Sequence, residues 1–460
     1  MDHQEHRNIV DVAVIGGGLA GLAAAASLGR AGLRVRCCER AASFGGRGRT
    51  LITETEAGRF AMNLGAHALY LSGRARPILE DLGVACVGGT PQVESAYLAD
   101  GRSHRLPATP GALIASTALD LRGKLGLMRV FAGLSRVDPA TLAGMSAEDW
   151  IAARAGGATC HRMLRSLFTL TSYSARLDTL DARAAVRSLQ LALQGVRYID
   201  GGWQALVEGT LQAARAHGVE LRPNCGVRRL TRDPEGGWIV EAGDERWRAR
   251  QVILALGPGP ARRLLAEAEV RTGSIPADAR AVHAACLELG LRGPWTKPAF
   301  ALRSEPATYL SVHSHTAQDM APKGCCALSV VVYLGREALD ADAVRARAES
   351  MVDALEPSWR ERVLARRFMP RMVVAHALPA PGVEVGTGLA EPEPAPGLHL
   401  VGDWVRRPEE APGDPALLLD SALASAMTAV EGVRRTLSRA PSARARLVGN
   451  EPGAGVGVAI

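Results

Sequence analysis

Polar and apolar positions along this chain follow two rhythms, one of strands and one of helices. Residues 12–15 form a short apolar run that stops at three glycines, Gly16, Gly17 and Gly18. A run of that length closed by a glycine turn predicts a buried strand. An Ala-rich helix follows over 22–28 and a second strand over 32–38. Apolar residues three and four apart predict helices over 74–82, 112–119, 121–134, 146–155, 162–171, 182–193, 204–217, 340–355 and 418–430. Strands are expected over 219–222 and 225–230, over 284–291 and 326–333, and in a hairpin of 237–242 with 245–250. A separate buried strand is expected over 251–258. Residues 309–315 alternate, which predicts a half-buried strand with Ser311, His313 and His315 on one face. That face lines either a cavity or the solvent. Trp150, Phe168 and Tyr173, isolated aromatics in the helical region, are expected in the core.

The opening strand–turn–helix carries chemistry. Gly16, Gly18 and Gly21 have G-x-G-x-x-G spacing. The first permits a tight turn, the second lets a pyrophosphate approach the backbone, and the third lets helix and strand pack closely. The helix N-terminus then offers free N–H groups to phosphate. Glu39 ends the second strand, about 20 residues on, where an acid accepts hydrogen bonds from a ribose 2′-OH. An acid there selects an unphosphorylated ribose, as in FAD or NAD, over NADP.

Composition narrows the field. At 460 residues, 47% hydrophobic and 22% charged, the chain can bury a large core and form two domains. Aromatics are only 4%, so an aromatic substrate cage is not assumed. The net charge of +7 is mostly Arg spread along the chain with acids between. No basic block interleaved with aromatics occurs, so nucleic acid is not an expected partner. A weak attraction to anionic membrane surfaces remains open. The 8 Cys show no metal-ligand spacing, and no metal is expected. Met1 to Arg7 is polar, with no signal-peptide core and no membrane-spanning run following, so a cytoplasmic protein is expected.

A second turn, Phe44-Gly45-Gly46-Arg47-Gly48-Arg49-Thr50, separates FAD from NAD. With it the chain resembles the flavoprotein family of amine oxidases, protoporphyrinogen oxidases and phytoene desaturases, in which a G-G-R turn follows the ribose acid. Arg47 is a planar cation suited to phosphate oxygens. Further along, Gly65-Ala66-His67 resembles the segment that passes the flavin. His67 is either a contact to flavin or substrate, or a structural hydrogen-bonded histidine. Asp200-Gly201-Gly202-Trp203 resembles the return to the nucleotide domain, and Gly402-Asp403 the turn near the ribityl and pyrophosphate. Ser421 and Ala426 stand where the family usually has glycine.

The resemblance implies an α/β fold: a Rossmann-type, glutathione-reductase-like FAD-binding domain with a discontinuous α+β substrate domain. It divides the chain into 1–73, 198–260 and 395–438 for FAD, 74–197 and 261–394 for substrate, and a disordered tail over 439–460. It implies FAD contacts at Gly16, Gly18, Leu19, Ala20, Gly21, Glu39, Arg40, Gly46, Arg47, Gly65, Ala66, Val227, Gly402, Asp403, Leu419 and Ala422. His67 and His313 are the catalytic candidates. The expected reaction is dehydrogenation of an apolar, isoprenoid- or carotenoid-like small molecule, or a secondary metabolite, by hydride transfer to flavin N5. Amine oxidation is the alternative. It is disfavoured because Lys is scarce, Lys297 being the one in a plausible strand region, and because no aromatic pair is evident. A flavin-dependent isomerase, or a flavin-binding protein without catalysis, is carried beside these.

Overall fold

The computed structural model describes residues 9–91, 95–275, 281–337, 340–381, 392–405 and 417–439. The expected tail, and the first part of the Pro- and Glu-rich link expected over 386–396, lie outside them.

One sheet is built on strand β1 (Ile9–Ile15), which lies parallel to β2 (Val35–Cys38) on one side and β13 (Glu245–Leu254) on the other. Its order is β10 (Glu220–Arg222), β2, β1, β13, β12 (Trp238–Ala242), β11 (Val227–Arg232), with β19 (Leu398–Leu400) also parallel to β13. β1 is buried on both faces, as parallel strands are, and reads as a continuous apolar run. Val12 and Val14 pack against helix α1 (Leu19–Arg30), with α8 (Gln204–Ala216) and α11 (Leu418–Arg439) beside it. Ala13 and Ile15 face the other way, toward α9 (Pro258–Glu267), Trp238 and Trp247. The expected hairpin arm and the separate buried strand prove to be one element. β13 runs ten residues without a break because its first half pairs antiparallel with β12 and its second half parallel with β1 and β19.

The second sheet has the order β18 (Val363–Ala375), β14 (Val282–Arg292), β17 (Cys325–Tyr333), β16 (Thr308–Ser311), β15 (Phe300–Arg303), β7 (Ser95–Ala99), β8 (Arg102–Arg105). Leu287, Leu289, Leu291, Val330 and Val332 form its apolar face and pack on α10 (Ala341–Asp353). The other face, with Ala284, Cys286, Val331 and Tyr333, meets a helical layer. That layer comprises α3 (Pro110–Ala115), α4 (Leu121–Leu134), α5 (Ala147–Arg154), α6 (Ala158–Ser172) and α7 (Ala182–Leu193). Trp150 and Phe168 are fully buried within it. A hairpin of β3 (Thr50–Thr55) and β4 (Gly58–Asn63), and a small sheet of β5 (Leu69–Tyr70), β9 (Val196–Ile199) and β6 (Gly88–Gly89), join the two halves. Helix α2 (Ala75–Asp81) follows β5.

The expected strand over 309–315 is corrected. β16 stops at Ser311, and His313–His315 is a single 3-10 turn. Ser311 and His313 are buried while His315 is exposed, so the three share no face. Strand β18 was not anticipated, because Pro370 interrupts its pattern. It is an edge strand, and its register shifts between the pairs of Ala284 with Met372 and Cys286 with Met369, the stretch that holds the proline. An edge and a bulge are where a strand tolerates a residue without an N–H.

Candidate functional site

The site begins at the turn after β1. Gly16 has φ +110°, and a Cβ there would lie 2.3 Å from the Ala255 carbonyl oxygen, so only glycine fits. A Cβ on Gly21 would lie 2.0 Å from the Gly16 oxygen, which is the close helix–strand contact that its spacing implied. Gly18 differs from both. A Cβ there would meet no protein atom within 4 Å. The space in front of Gly18, at the start of α1, is therefore open, and no side chain caps the helix. Leu19 and Ala20 form that first turn. A helix N-terminus with uncapped N–H groups fits the diphosphate of FAD.

The second turn stacks on the first. Gly45 donates its N–H to the Gly17 carbonyl at 2.7 Å, and a Cβ on Gly46 would lie 3.3 Å from Gly18 Cα. Glu39 accepts the Gly17 and Ala41 N–H groups, one on each oxygen, both at 2.8 Å. Its backbone bonds Arg222 and Cys225, which draws the start of β11 alongside. Gly226 thus approaches Arg40, a Cβ there lying 3.4 Å from Arg40 Cγ, and Val227 follows at the same edge.

Arg47 turns away from the glycines. Its guanidinium donates to Asp403 at 2.9 Å and to the Val374 carbonyl at 2.5 Å. Asp403 also accepts from the His376 backbone N–H at 3.2 Å, and His376 Nδ1 lies 2.9 Å from its other oxygen. Burial alone would raise the Asp403 pKa. The Arg47 charge and the His376 contacts outweigh it and hold the carboxyl at about 2. The neighbouring Gly402 donates its N–H to Ser425 Oγ on α11 at 3.0 Å. Leu419 and Ala422 lie in the first turns of that helix. Between them Asp420 accepts the Ala75 N–H at 2.6 Å and ties α11 to α2.

The third part is residues 63–67. Asn63 accepts the Trp203 N–H at 3.0 Å and Thr50 Oγ1 accepts the Gln204 N–H, so the Gly201-Gly202 return is clamped to β3 and β4. Gly65, at φ +110°, packs under Met372 of β18, a Cβ there lying 2.9 Å from its methyl. The Ala66 carbonyl accepts the Tyr173 hydroxyl at 2.5 Å. His67 stacks on Trp203 with ring centroids 4.3 Å apart. Burial lowers the His67 pKa to about 3, with His313 and Arg47 adding to the shift, and burial lowers that of His313 to about 4. Both imidazoles are neutral at physiological pH. Four buried polar atoms here find no partner among the described residues: His67 Nδ1, Trp203 Nε1, His313 Nε2 and Tyr333 OH. Five more such atoms lie elsewhere among the described residues; these four differ in being gathered around the stacked His67 and Trp203 and the Tyr173–Tyr333 contact, which fits a site for a polar ligand. The open cradle at Gly18 and these orphans at the other end are both compatible with FAD.

Two features were not anticipated. One is a polar row across the second sheet, in register: Arg367 opposite Glu288, Glu288 opposite Ser329, Ser329 opposite Ser311. Glu288 accepts from Cys286 Sγ at 3.0 Å and Ser329 Oγ at 2.8 Å, and Ser329 Oγ lies 3.4 Å from His313 Nδ1. Burial raises the Glu288 pKa to about 7 against the lowering effect of those two bonds and of Arg367. A lone acid inside the apolar run 284–291 was a signal that pointed here. The other is an aromatic pair, Tyr173 and Tyr333, edge to face at 5.9 Å. No such pair was evident in the sequence, since its members are 160 residues apart and meet only through the fold. Lys297 lies beside Glu356, away from this region. Among the described residues, no cluster of His, Cys, Asp or Glu could hold a metal ion, and no helix is long and apolar enough to cross a membrane.

Comparison with known proteins agrees with this geometry. Residues 19–409 match the family of flavin-containing amine oxidoreductases. A carotenoid phi-ring synthase of Streptomyces griseus is 29% identical over 290 residues, covering 55% of this chain and 54% of that protein. A coproporphyrinogen III oxidase of Mycobacterium tuberculosis is 31% identical over 299 residues, covering 55% and 59%. The chain thus spans a little over half the length of these curated relatives. A solved oxidoreductase from Methanosarcina mazei superposes with TM-score 0.73 over 91% of this chain and 99% of its own, at 18% identity, which speaks to the fold.

Proposed function

Since this chain belongs to the family of flavin-containing amine oxidoreductases, with FAD as its cofactor, we propose that it dehydrogenates an apolar small molecule, isoprenoid- or carotenoid-like, at the wall formed by Gly65, Ala66 and His67. The observation that carries the proposal is the neutrality of that wall. Met372, Tyr173, Tyr333 and Cys286 surround it, and its two histidines are kept uncharged by burial. A neutral, water-poor wall suits a substrate without charge. The name of the carotenoid phi-ring synthase points to the same substrate class.

FAD supplies the acceptor for the two electrons and one proton of a hydride. The chain's own residues do the rest. The diphosphate end is assigned to Gly16, Gly18, Leu19, Ala20, Gly21 and Gly46, the ribose to Glu39, and the adenine edge to Arg40 and Val227. Arg47, Gly402, Asp403, Leu419 and Ala422 are assigned to the stretch between diphosphate and ring, where Arg47 is placed by Asp403 rather than left free. A second proton must leave the substrate when a C–C double bond forms. At a pKa of about 3, His67 is too weak a base to keep that proton. Its role is to border the ring, oriented by Trp203. Glu288, part-ionised near pH 7, is the group basic enough to take the proton, and His313 and Ser329 relay it there without holding it.

Amine oxidation is kept as a second reading because of the Tyr173–Tyr333 pair, which gives an uncharged amine an aromatic edge to pack on. Anaerobic titration with candidate substrates tests both. Isoprenoid polyenes should bleach the bound flavin and release a product with one more double bond, while simple amines should leave it oxidised. Bleaching by amines alone would replace the proposal with the second reading. Turnover of a polyene with the flavin still oxidised would mean isomerisation.

A further inference from the structure

Seven large apolar side chains are exposed among the described residues, and four of them sit on one helical hairpin. Ile114 on α3 is 68% exposed, and Leu121, Leu125 and Met128 on α4 are 73%, 49% and 46% exposed. The α4 trio is spaced by four and then three residues, which puts it on one face. The opposite face, with Gly123, Gly126, Leu127, Val130 and Leu134, is buried. The two glycines press α4 against the start of α6. A Cβ on Gly123 would lie 2.2 Å from Thr159 Oγ1, and one on Gly126 2.6 Å from the Gly156 backbone nitrogen. The helix cannot roll to hide its outer leucines. Lys124 Nζ donates to the Ile114 carbonyl at 2.7 Å, so α3 and α4 present their exposed residues as one unit.

The charges on α4 itself have one sign, and the exposed Asp120 at its N-cap is the acid beside the stripe. Helix α4 contains Arg122, Lys124 and Arg129 and no acid. Asp120, at its N-cap, is turned onto the Gly123 N–H and Thr159 Oγ1. His104 Nδ1 lies 2.8 Å from Thr117 Oγ1, which ties the loop between α3 and α4 to β8 and its exposed Arg102 and Arg105. An apolar stripe on a helix with a basic surround is the composition that lies in a lipid interface, and neither part suffices alone. A second copy is a poorer occupant. A two-fold contact through the stripe would bring Arg122 and Arg129 toward their own copies.

We propose that the α3–α4 hairpin docks this protein on an anionic bilayer surface, with Ile114, Leu121, Leu125 and Met128 in the headgroup boundary and Arg122, Lys124 and Arg129 among the phosphates. The inner face of α4 belongs to the same core as Ala66 and Tyr333, so docking would set that core between the bilayer and the flavin wall. The inference rests on this surface alone and is independent of the substrate reading.

Flotation of the full-length, FAD-loaded protein with lipid vesicles tests it. Binding is expected to vesicles containing phosphatidylglycerol and not to pure phosphatidylcholine. The triple variant Leu121→Ser, Leu125→Ser, Met128→Ser should lose at least about tenfold in partition coefficient, from the apolar surface removed. Arg122→Gln with Arg129→Gln should lose roughly fivefold per charge. Both variants should keep the melting temperature and flavin spectrum of the parent, because the altered side chains are exposed. The proposal is overturned if the parent ignores anionic vesicles or if the triple variant binds as the parent does. It is also overturned if the stripe instead holds a dimer that sedimentation shows dissociating in the triple variant.

Discussion

At the scale of single residues, Gly18 and Gly21 offer a paired test of the cofactor cradle. They stand three positions apart in one motif, yet a Cβ would meet nothing at Gly18 and the Gly16 carbonyl at Gly21. Gly18→Ala should therefore leave the melting temperature of the FAD-free protein unchanged and weaken FAD binding at least tenfold, read by flavin fluorescence titration. Gly21→Ala should destabilise even the FAD-free protein, by about 1–3 kcal/mol, as overpacking does. Equal FAD affinity in Gly18→Ala would place the diphosphate elsewhere. Glu288 gives a pH test. Below pH 4.5 its carboxyl is protonated in both folded and unfolded chains. From 4.5 to about 7 the unfolded chain has lost the proton and the folded chain keeps it, so its contribution to stability falls as pH rises through that window. The loss should be on the order of 3 kcal/mol at full extent. His67 and His313 act in the opposite sense. Their folded pKa values are depressed, so their stabilisation is complete above 6.5 and is lost as pH falls toward 4 and 3. Between pH 4.5 and 6.5 the two histidines together outweigh Glu288, so Glu288→Gln should steepen the rise of melting temperature with pH across that window and abolish the decline between 6.5 and about 7. A profile identical to the parent's would mean Glu288 is charged at neutral pH. The glycine motifs were legible in the sequence because each demands a residue without a side chain. His376 was not, since its link to Asp403 arises only where β18 exits beside the turn after β19.

At the scale of elements, legibility followed local signals. Helices α4 and α7 have the bounds their periodicity predicts, and both begin at an aspartate that accepts a first-turn N–H: Asp120 from Gly123 and Asp181 from Arg183. Strand β18 carried no such signal, because tolerance of Pro370 depends on its lying at the sheet edge. The strand expected through His315 failed for a related reason: alternation persists in the letters after the chain has turned off the sheet. Asp181 tests how much a cap that doubles as an ion pair contributes. It accepts the Arg183 N–H at 2.7 Å and a guanidinium bond at 2.6 Å, and both side chains are buried. Asp181→Ala strips the cap and leaves a buried cation without that carboxylate, for an expected loss of about 3 kcal/mol. Asp181→Asn keeps a cap oxygen and should recover roughly 1 kcal/mol of it. Urea unfolding measures both. A loss under about 1 kcal/mol for Asp181→Ala would mean that the other contacts of Arg183 carry the charge.

At the scale of the whole molecule, the proposed FAD site is not the property of either sheet. Gly16, Gly18 and Glu39 belong to the first. Gly65 is covered by Met372 from the edge of the second, and Ala66 is held by Tyr173 at the end of α6. Arg47, Asp403 and His376 then join the second glycine turn, the exit of β19 and the exit of β18 at one point. A ligand filling this line would stabilise segments far apart in sequence together, because whatever binds only the folded form adds its binding free energy to folding. Removing FAD should therefore raise amide exchange at residues 44–49, 64–70 and 370–377 together. The face where Leu287 and Val330 pack on Met351 should keep its protection, since it lies on the other side of its sheet. The melting temperature should rise with the logarithm of added FAD. Hydrogen exchange of FAD-free and FAD-loaded protein decides the matter. If the change stays within residues 9–48, the flavin ring does not reach residues 64–70, and the wall assigned to Gly65, Ala66 and His67 is not where the chemistry takes place.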